Sequence, residues 1–448
     1  MTDRGAEPDA PVGGRIVVDG RPVPFEPDDS VAIAIVRAGD VPGRGGTLCL
    51  AGDCGNCLAT VNGVAYVRTC QVAALPGTVV GRHPAEGKPA LPSVDLRDLA
   101  RVPLGPDIPV RRAHAGLAIV GGGSSERAAA EGRDGALVLD AADGIEVVGI
   151  YPGPAAVARE PGGMLHLEAD EIVVATGSAE IHPVCPGSRL AGIVTARAAE
   201  RLAAADIDLG RAVTITTHPI RFEDDGSGRV GAVVVAGEDG SEVTLPCETA
   251  IVDLGRAPRD VLARMTRDPG VRAVGSAALD HPLPPSPIEG VVCPCMGTTV
   301  ADLETAFDKG YNELELLKRA SWAGLGPCQG GACLPHVRAF IAARTGGPPP
   351  DPFTARPAAR QITLAEAAAD TTIDAFRRTP LHAEHLAFGA RMDRFGGWFR
   401  PWHYGDVVGE YWAVREGVSI GDVSTLGKLI VSGPDVVEAL ERIYPCHV

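Results

Sequence analysis

The pattern of apolar and polar residues predicts several folded units along the chain. Residues 14–27, GRIVVDGRPVPFEP, alternate apolar and polar side chains around an Asp-Gly turn, which predicts a β-hairpin. Residues 30–39, SVAIAIVRAG, have helical spacing, with Ser30 as the predicted N-cap. Between residues 114 and 287, short apolar runs such as GLAIVGGG and DEIVVATG alternate with weakly helical pieces, which is typical of an α/β domain.

Segments rich in Pro, Gly and polar residues mark the predicted boundaries between these units. The predicted division is a hairpin, helix and cysteine loop at 1–88, a linker at 89–113, an α/β domain at 114–287, a small helical domain at 288–346, a linker at 347–360 and a final α+β piece at 361–448. The predicted fold class is therefore multidomain α/β and α+β.

Composition and charge narrow the classes of function. The chain has 448 residues, of which 45% are hydrophobic and 22% charged, as in folded globular proteins. Its net charge of −16 and the lack of clustered Lys and Arg argue against nucleic-acid binding. We find no signal peptide and no apolar run of the ~18 residues that cross a bilayer, so a cytoplasmic location is predicted.

Cysteines stay reduced in the cytoplasm, where clustered cysteines more often hold metal than form disulfides. Eight of the eleven cysteines fall into two groups of four. The other three, Cys185, Cys247 and Cys446, stand alone and are predicted to be core residues.

The first group lies in the stretch LCLAGDCGNCL. Its members are Cys49, Cys54, Cys57 and Cys70. The C-x4-C-x2-C spacing with a distant fourth cysteine is that of a plant-type [2Fe-2S] cluster. Gly52 and Gly55 allow a tight loop that aims backbone N–H groups at the cluster, and Asn62-Gly63 predicts the turn that returns Cys70. A four-thiolate zinc site is the main alternative, although structural zinc usually takes two C-x2-C pairs and only one is present.

This first stretch, with SVAIAIVRAG before it and VRTC after it, resembles a ferredoxin-like module of β-grasp fold. The module occurs in the small subunit of hydrogen cyanide synthase and at the N-terminus of the α subunit of heterotetrameric sarcosine oxidase. In sarcosine oxidase it typically lacks its cluster, whereas all four ligand positions are cysteine in this chain. The resemblance implies an electron-carrying module.

The second group consists of a Cys-x-Cys pair and a more distant pair. Its members are Cys293, Cys295, Cys328 and Cys333. The two cysteines of the first pair are too close for an unstrained disulfide and suit two thiolates on one metal centre, and a predicted helical hairpin broken at Gly310 carries the pairs together. CPCMGTTVADL and LKRASWAGLGPCQGGAC resemble the bacterioferritin-associated-ferredoxin-like (BFD-like) [2Fe-2S] domain of hydrogen cyanide synthase and opine oxidases. Trp322 and Leu325 depart from that family's pattern, and zinc remains the alternative metal.

A dinucleotide-binding layout begins at residue 116. A strand, a glycine turn and a second strand ending in Asp140 resemble the FAD-binding start of the pyridine nucleotide-disulfide reductase superfamily, a Rossmann-like fold. The resemblance implies cofactor contacts by the glycines and by the acid, together with a later Ala-Thr-Gly strand and a closing motif. The implied FAD-site residues are Gly121, Gly123, Asp140, Thr176, Gly177 and Gly275.

Three departures from this fingerprint favour a structural remnant over a working FAD site. Glu126 replaces the third glycine and adds bulk and negative charge near a pyrophosphate. The strand that should open a nicotinamide site, RAVTITTHP, has no glycine turn, which argues against NAD. Ser276 replaces the Asp that normally binds the ribityl chain of the flavin.

The last 70 residues resemble the opening of the glycine-cleavage T-protein and of the matching folate domain in sarcosine oxidase α subunits. Asp422 and Ser424 lie in the family motif, where we expect them to hold a turn. Because the family domain is several times longer, the resemblance implies a partial domain that binds tetrahydrofolate only with a completing partner, or an interaction platform. We expect a partner to cover its sheet edges. His382, His385 and His403 are predicted to be ordinary surface or core histidines.

Together the resemblances imply an α-type electron-transfer subunit of a multi-subunit, flavin-dependent amine or amino-acid dehydrogenase or oxidase. A separate β-type subunit would bind FAD and oxidise an N-methylated or other secondary amine, and two [2Fe-2S] clusters in this chain would carry electrons to a downstream acceptor. No catalytic residue is assigned to the chain. The alternatives are a self-contained FAD- and NAD(P)H-dependent iron–sulfur oxidoreductase and a non-catalytic zinc scaffold for a folate-dependent partner.

Overall fold

The computed structural model describes residues 13–83, 108–123, 135–369 and 377–444. It divides into two compact units between Ala369 and Asp370. Glu126, Cys446 and most of the predicted linker at 89–113 lie outside the described residues. No helix in the described ranges combines the length and the apolar character that a bilayer crossing needs.

The N-terminal part of the first unit is a five-stranded sheet crossed by one helix. Its elements are β1 Gly14–Val18, β2 Arg21–Phe25, α1 Val31–Arg37, β3 Leu58–Val61, β4 Val64–Arg68 and β5 Val79–Arg82. The strand order is β2-β1-β5-β3-β4, with β1 and β5 parallel and the other pairs antiparallel. The predicted hairpin and helix are confirmed, and the Ser30 hydroxyl accepts the Ile33 N–H at 3.2 Å.

A second sheet begins with β6 Val110–Val120 and continues with β7 Leu137–Leu139, β8 Glu146–Tyr151, β9 Ala155–Glu160 and β10 Gly163–Val174. Its order is β7-β6-β10-β9-β8. Strands β7, β6 and β10 are parallel, as in dinucleotide-binding folds, whereas β8 and β9 form an antiparallel extension. The carboxyl ends of β6 and β10 therefore lie side by side.

Smaller sheets complete this domain. Their elements are β11 Ser178–Glu180, β12 Ile193–Thr195, α2 Ala196–Ala204, β13 Ala212–Ile215, β14 Arg221–Asp224, β15 Val230–Ala236, β16 Glu242–Pro246, β17 Thr249–Val252, β18 Arg256–Pro258 and β19 Val271–Ala273. Strands β12, β17 and β13 form a parallel sheet, β14 to β16 an antiparallel one, β11 pairs with β18, and β19 joins β10 in parallel.

The weakly helical pieces predicted between the strands are mostly hairpins. Within described residues 135–287, α2 is the α-helix, and the other connections are turns and short 3-10 segments. Several of these turns contain a glycine with positive φ, such as Gly162 and Gly240. Such turns join antiparallel strands directly. The chain therefore forms additional strands at positions where an α/β pattern predicts helices.

The second cysteine region is a small helical layer. It contains β20 Val291–Cys293, β21 Thr298–Thr299, α3 Val300–Asp308, α4 Leu314–Ser321 and α5 Leu334–Thr345. A capping box between Thr299 and Asp302 starts α3, and the helix ends before Gly310, so the predicted break is confirmed. Helices α3, α4 and α5 pack around a shared apolar core that includes Leu303, Leu317 and Phe340.

The segment after α5 lacks helix and strand until α6 Leu364–Ala367, as its proline content predicts. It is nevertheless packed against the domain. Phe353 lies in the core of the helical layer, with its ring 4.1 Å from the Lys318 ammonium, and Ala355 and Ala359 are buried against the second sheet. The predicted linker therefore packs against two apolar cores, that of the helical layer and that of the second sheet.

Replacing Phe353 with Ala is expected to lower the free energy of unfolding by about 3–5 kcal/mol, because the buried ring fills the space beside Gly324 and Gly330. Denaturant unfolding of the purified chain measures the effect. Leu364→Ala is the matched control, because Leu364 begins α6 and is 89% exposed. This substitution should change the free energy of unfolding by less than about 0.5 kcal/mol. Equal stability of the two variants would contradict a packed role for the segment.

The second unit contains β22 Arg377–Arg378, α7 His382–Ala387, β23 Arg391–Phe395, β24 Trp398–His403, α8 Val407–Glu416 and α9 Val436–Ile443. Its sheet has the order β22-β24-β23. Large apolar side chains of its C-terminal half remain uncovered within the described residues: Val418, Ile420, Leu429 and Ile430 are 89–98% exposed. Apolar surface of this extent marks a binding or packing face.

Candidate metal centres

The first four cysteines meet at one buried point of the N-terminal unit. Cys49, Cys54 and Cys57 lie on the loop between α1 and β3, and Cys70 lies on a 3-10 turn after β4. Asn62 and Gly63 both have positive φ at the predicted turn between β3 and β4. All four thiols are at most 6% exposed. Cys49 contacts Cys54, and Cys57 contacts Cys70, so the sulfurs form two pairs.

The loop directs backbone N–H groups at these sulfurs. The N–H groups of Ala51, Asp53 and Cys54 approach the Cys49 Sγ at 3.3–3.4 Å, and the Asn56 N–H approaches the Cys54 Sγ at 3.4 Å. Gly52 and Gly55 supply the positive φ angles that this path needs. Hydrogen bonds from the Cys54 thiol, then from the His182 side chain and from the Ala51 N–H, hold the pKa of Cys49 well below its ordinary value. The loop therefore favours the thiolate form of Cys49, whereas hydrogen bonds to Cys49 and Cys57 raise the pKa values of Cys54 and Cys70.

The second four cysteines also converge. Cys293 ends β20, Cys295 follows it, Cys328 lies in the loop after α4, and Cys333 is the N-cap residue of α5. The Cys295 Sγ lies 3.6 Å from the Cys293 Sγ and 3.7 Å from the Cys328 Sγ. Cys333 contacts Cys293. Hydrogen bonding from Cys295 lowers the pKa of Cys328 to about 7, and all four thiols are buried.

The spacing of the sulfurs bears on the kind of metal. Four thiolates at ~2.3 Å from one zinc ion would all lie close to one another, whereas a two-iron cluster takes them in two pairs. Within the described residues, one group of three ligand atoms lies mutually within 4.8 Å: Cys49, Cys54 and His182. Neither set of cysteines by itself brings three sulfurs within that distance. The sulfurs of the first set therefore form two pairs, whereas in the second set the Cys295 sulfur lies close to those of both Cys293 and Cys328.

The two quartets are in direct contact. A Cβ atom built on Gly55 would lie 3.0 Å from the Cys295 Cβ, so the first loop rests on the second. Arg44 donates to the carbonyls of Pro294 and Cys295 at 3.3 and 3.2 Å, and Arg68 donates to the Pro327 carbonyl. These guanidinium groups place positive charge between two sites that would each carry negative charge when loaded.

The central domain holds the first loop in place. Leu48 pairs with β12 through backbone hydrogen bonds to Ile193 and Thr195 of 3.0 and 2.9 Å. Arg189 donates to the Asn56 side chain, and Arg259 pairs with Asp53. Burial raises the pKa of Asp53, and the charge of Arg259 opposes the shift. Sequence reasoning missed these contacts, because the arginines lie more than a hundred residues from the loop.

The residues predicted to bind FAD are partly brought together. Gly121 follows β6, Thr176 and Gly177 follow β10, and Gly275 follows β19, so all four lie at the carboxyl ends of adjacent parallel strands. A Cβ on Gly121 would meet the Ala175 carbonyl oxygen at 2.6 Å. The motif therefore has the strand arrangement of a dinucleotide fold.

Other parts of this predicted site are occupied by protein atoms. A Cβ on Gly122 would lie 1.6 Å from the Asp140 Oδ2, so this carboxylate rests against the glycine turn, where its Oδ1 also accepts the Ala142 N–H. No heavy atom lies within 4 Å of the Cβ position of Gly123 in the part of the chain that the structure describes. The Thr176 hydroxyl donates to the Arg259 carbonyl. Asp140 and Thr176 thus contact protein atoms, whereas the space beside Gly123 is open among the described residues.

A cleft opens beside both quartets. Gly52, Asp53, Cys328 and Gly331 line one part of it, and Thr176 lies in its wall. Six arginines also line this cleft: Arg68, Arg256, Arg259, Arg264, Arg338 and Arg360. The cleft therefore combines a lining rich in arginine with one thiol of the second quartet, Cys328.

The second unit contains a buried hydrogen-bonded histidine. The His385 ring nitrogens lie 2.6 Å from the Tyr404 hydroxyl and 3.0 Å from the Asp422 Oδ2. Asp422 also accepts the Ser424 N–H at 2.9 Å, and the hydrogen bonds from Ser424, Thr379 and His385 hold its pKa far below the ordinary value. This network ties a turn to α7, the role expected for Asp422 and Ser424.

Family models match both ends of the chain. Residues 15–84 match a 2Fe-2S iron-sulfur cluster binding domain, and residues 381–448 match the GCVT N-terminal domain. The sarcosine oxidase subunit alpha of Corynebacterium sp. (strain U-96) is 34% identical over 160 residues, covering 33% of this chain and 17% of that protein. An aminomethyltransferase of Deinococcus deserti is 44% identical over 74 residues, covering 16% of this chain and 21% of that protein.

The predicted resemblances to a ferredoxin-like module, to the T-protein and to sarcosine oxidase α subunits are thus confirmed. The chain spans only about a fifth of the length of these curated relatives. Among solved structures, the L-proline dehydrogenase from P. horikoshii aligns with a TM-score of 0.56 and 12% identity, over 80% of this chain and 98% of that chain. The two chains therefore share a fold, a mixed α/β multidomain architecture.

Proposed function

We propose that the two cysteine quartets hold two [2Fe-2S] clusters, and that the chain is the electron-transfer subunit of a multi-subunit, flavin-dependent amine or amino-acid dehydrogenase or oxidase. The observation that carries this proposal is the contact of Gly55 with Cys295, which sets the two quartets side by side. A flavin holds two electrons and each cluster accepts one, so two adjacent clusters suit the onward transfer of a hydride equivalent.

In this proposal the protein would exclude water from the clusters, supply their thiolate ligands and hold the two clusters close together. Burial of all eight thiols excludes water and stabilises metal ligation. Backbone N–H groups around Cys49 would stabilise sulfur-centred negative charge, and Arg44 and Arg68 would offset the charge of two neighbouring clusters. The Arg259–Asp53 pair would hold the first loop beside the cleft.

Similarity to a sarcosine oxidase subunit alpha supports a partner that binds FAD and oxidises the substrate. We infer a β-type subunit acting on an N-methylated or other secondary amine, and a downstream acceptor. The exposed apolar residues between Val418 and Ile430 support a polypeptide that covers or completes the T-protein-like domain. Tetrahydrofolate would bind only in such a completed domain.

One alternative is supported by the cleft. Thr176 lines it together with Asp53 of the first cysteine loop and Cys328 of the second quartet, so a FAD bound by this chain itself would lie near the clusters and could pass electrons from NAD(P)H. Flavin absorbance in the purified chain, together with bleaching by NAD(P)H, would favour this self-contained enzyme. Absence of both would favour a flavin on the partner.

Metal analysis of anaerobically purified chain tests the proposal. We expect about four irons and about four acid-labile sulfides per chain, and, after reduction, an electron paramagnetic resonance spectrum broadened by spin coupling between two neighbouring clusters. Zinc without sulfide would overturn the proposal and support a scaffold. Purification of the complex formed with the partner subunit, followed by dye reduction with N-methyl amines and amino acids, then identifies the substrate class.

A further inference from the structure

His182 stands out among the buried polar residues of the chain. It follows β11, is 4% exposed, and one of its ring nitrogens lies within 4.8 Å of the sulfurs of both Cys49 and Cys54. Neither ring nitrogen has a nitrogen or oxygen hydrogen-bond partner among the described protein atoms, and the Cys49 sulfur is the group with which the ring interacts. A buried imidazole without partners costs about 1–3 kcal/mol for each unsatisfied group. The His182 ring is therefore not fully hydrogen-bonded by the polypeptide, and it faces the Cys49 and Cys54 sulfurs.

The backbone beside this ring is anchored from the second cysteine region. The His336 Nε2 donates to the His182 carbonyl at 2.8 Å. His336 lies in the first turn of α5, three residues after Cys333. Burial lowers the pKa of His336 to about 3, so its ring is neutral and keeps this N–H on the carbonyl. His182 is thus held at the first quartet by the element that carries a ligand of the second.

A small cavity of about 10 Å³ lies beside His182. Thr47, His182 and His336 all line it, and the Thr47 Oγ1 and the His336 Nδ1 are likewise without partners in the described chain. Such a cavity is at the lower limit for one water molecule with several polar neighbours. A water there would give these unpartnered polar side chains a hydrogen-bond partner.

Resting on the proposed first cluster, we propose that His182 donates an N–H hydrogen bond to the Cys49–Cys54 side of that cluster and raises its reduction potential. Neutral imidazole has one N–H donor, and sulfur ligated to iron is an acceptor whose negative charge grows on reduction. The bond is stronger in the reduced state, so it favours reduction. His182 therefore acts on electron flow through the first cluster, whose reduced state it favours.

Redox titration of the reconstituted full chain tests this role. His182→Phe keeps a ring but removes the donor, and we expect the ratio of reduced to oxidised first cluster at a fixed solution potential to fall about tenfold, equivalent to ~59 mV for one electron. His182→Gln keeps an N–H donor and should recover part of the difference. His83→Phe is the matched control, a buried histidine that follows β5 and contacts Thr60 and Tyr66. An unchanged midpoint in His182→Phe would overturn the proposal.

A measurement on the unmodified chain guards against variants that fail to assemble. Pulsed electron paramagnetic resonance of the reduced protein with ¹⁵N-labelled histidine should show one weakly coupled nitrogen, as a hydrogen-bonded imidazole requires. A strong coupling would make His182 an iron ligand, and no coupling would leave it uninvolved; either result overturns the inference. If the chain contains no iron at all, the proposed function itself fails, which metal analysis shows separately.

Discussion

Replacing Cys57 with Ala is expected to halve the iron content of the purified chain, from about four to about two atoms, because the first quartet loses one of its four thiolates. Cys57 is buried and pairs with Cys70, and no other thiol is placed to replace it in the described residues. Cys328→Ala should cause the same loss at the second quartet. Each variant should retain the spectrum of the other cluster and lose the broadening that comes from coupling between them.

Cys185→Ala provides the matched control. Cys185 is also buried, but it packs among apolar side chains of the central domain, in a core that contains no cysteine of either quartet. This variant should keep its full iron and sulfide. Loss of all iron in Cys57→Ala would instead indicate that the two quartets cannot be loaded independently, and unchanged iron would refute the ligand assignment.

Replacing Gly326 with Ala should displace a ligand of the second quartet. The added Cβ would lie 2.2 Å from the Cys295 Sγ, far inside contact distance, and the buried loop has little room to move. Overpacking of this kind costs about 1–3 kcal/mol, and here the strain falls on a metal ligand. We expect about two irons per chain, with the spectrum of the first cluster preserved.

The control for this substitution is Gly347→Ala. Its added Cβ would meet the Thr345 Oγ1 at 3.5 Å, which is ordinary contact, so full iron content is expected. Thermal unfolding of both variants shows whether the fold is retained. A Gly326→Ala chain with four irons and an unaltered spectrum would show that the observed approach of Gly326 to Cys295 is wrong.

The sequence alone predicts the first quartet, because three of its four cysteines lie on one tight loop whose glycines and turn residues are local features. Ser30, the Asn62-Gly63 turn and the break at Gly310 were predicted for the same reason, since capping and positive φ depend on near neighbours. The hairpins of the central domain were less evident. Their short strands carry too little periodicity to be distinguished from weak helices, and pairing between strands decided the outcome.

The apolar pattern and the two cysteine motifs were thus enough to predict the kinds of unit and the two sets of four candidate ligands. Only the tertiary structure brings Gly55 onto Cys295, His182 to the sulfurs of Cys49 and Cys54, and Arg259 to Asp53. It also buries Phe353 in a segment whose composition indicates only the absence of helix and strand. The physical reason is range: spacing along the chain encodes interactions within a loop or a helix turn, whereas contacts between residues a hundred or more positions apart depend on how whole domains pack.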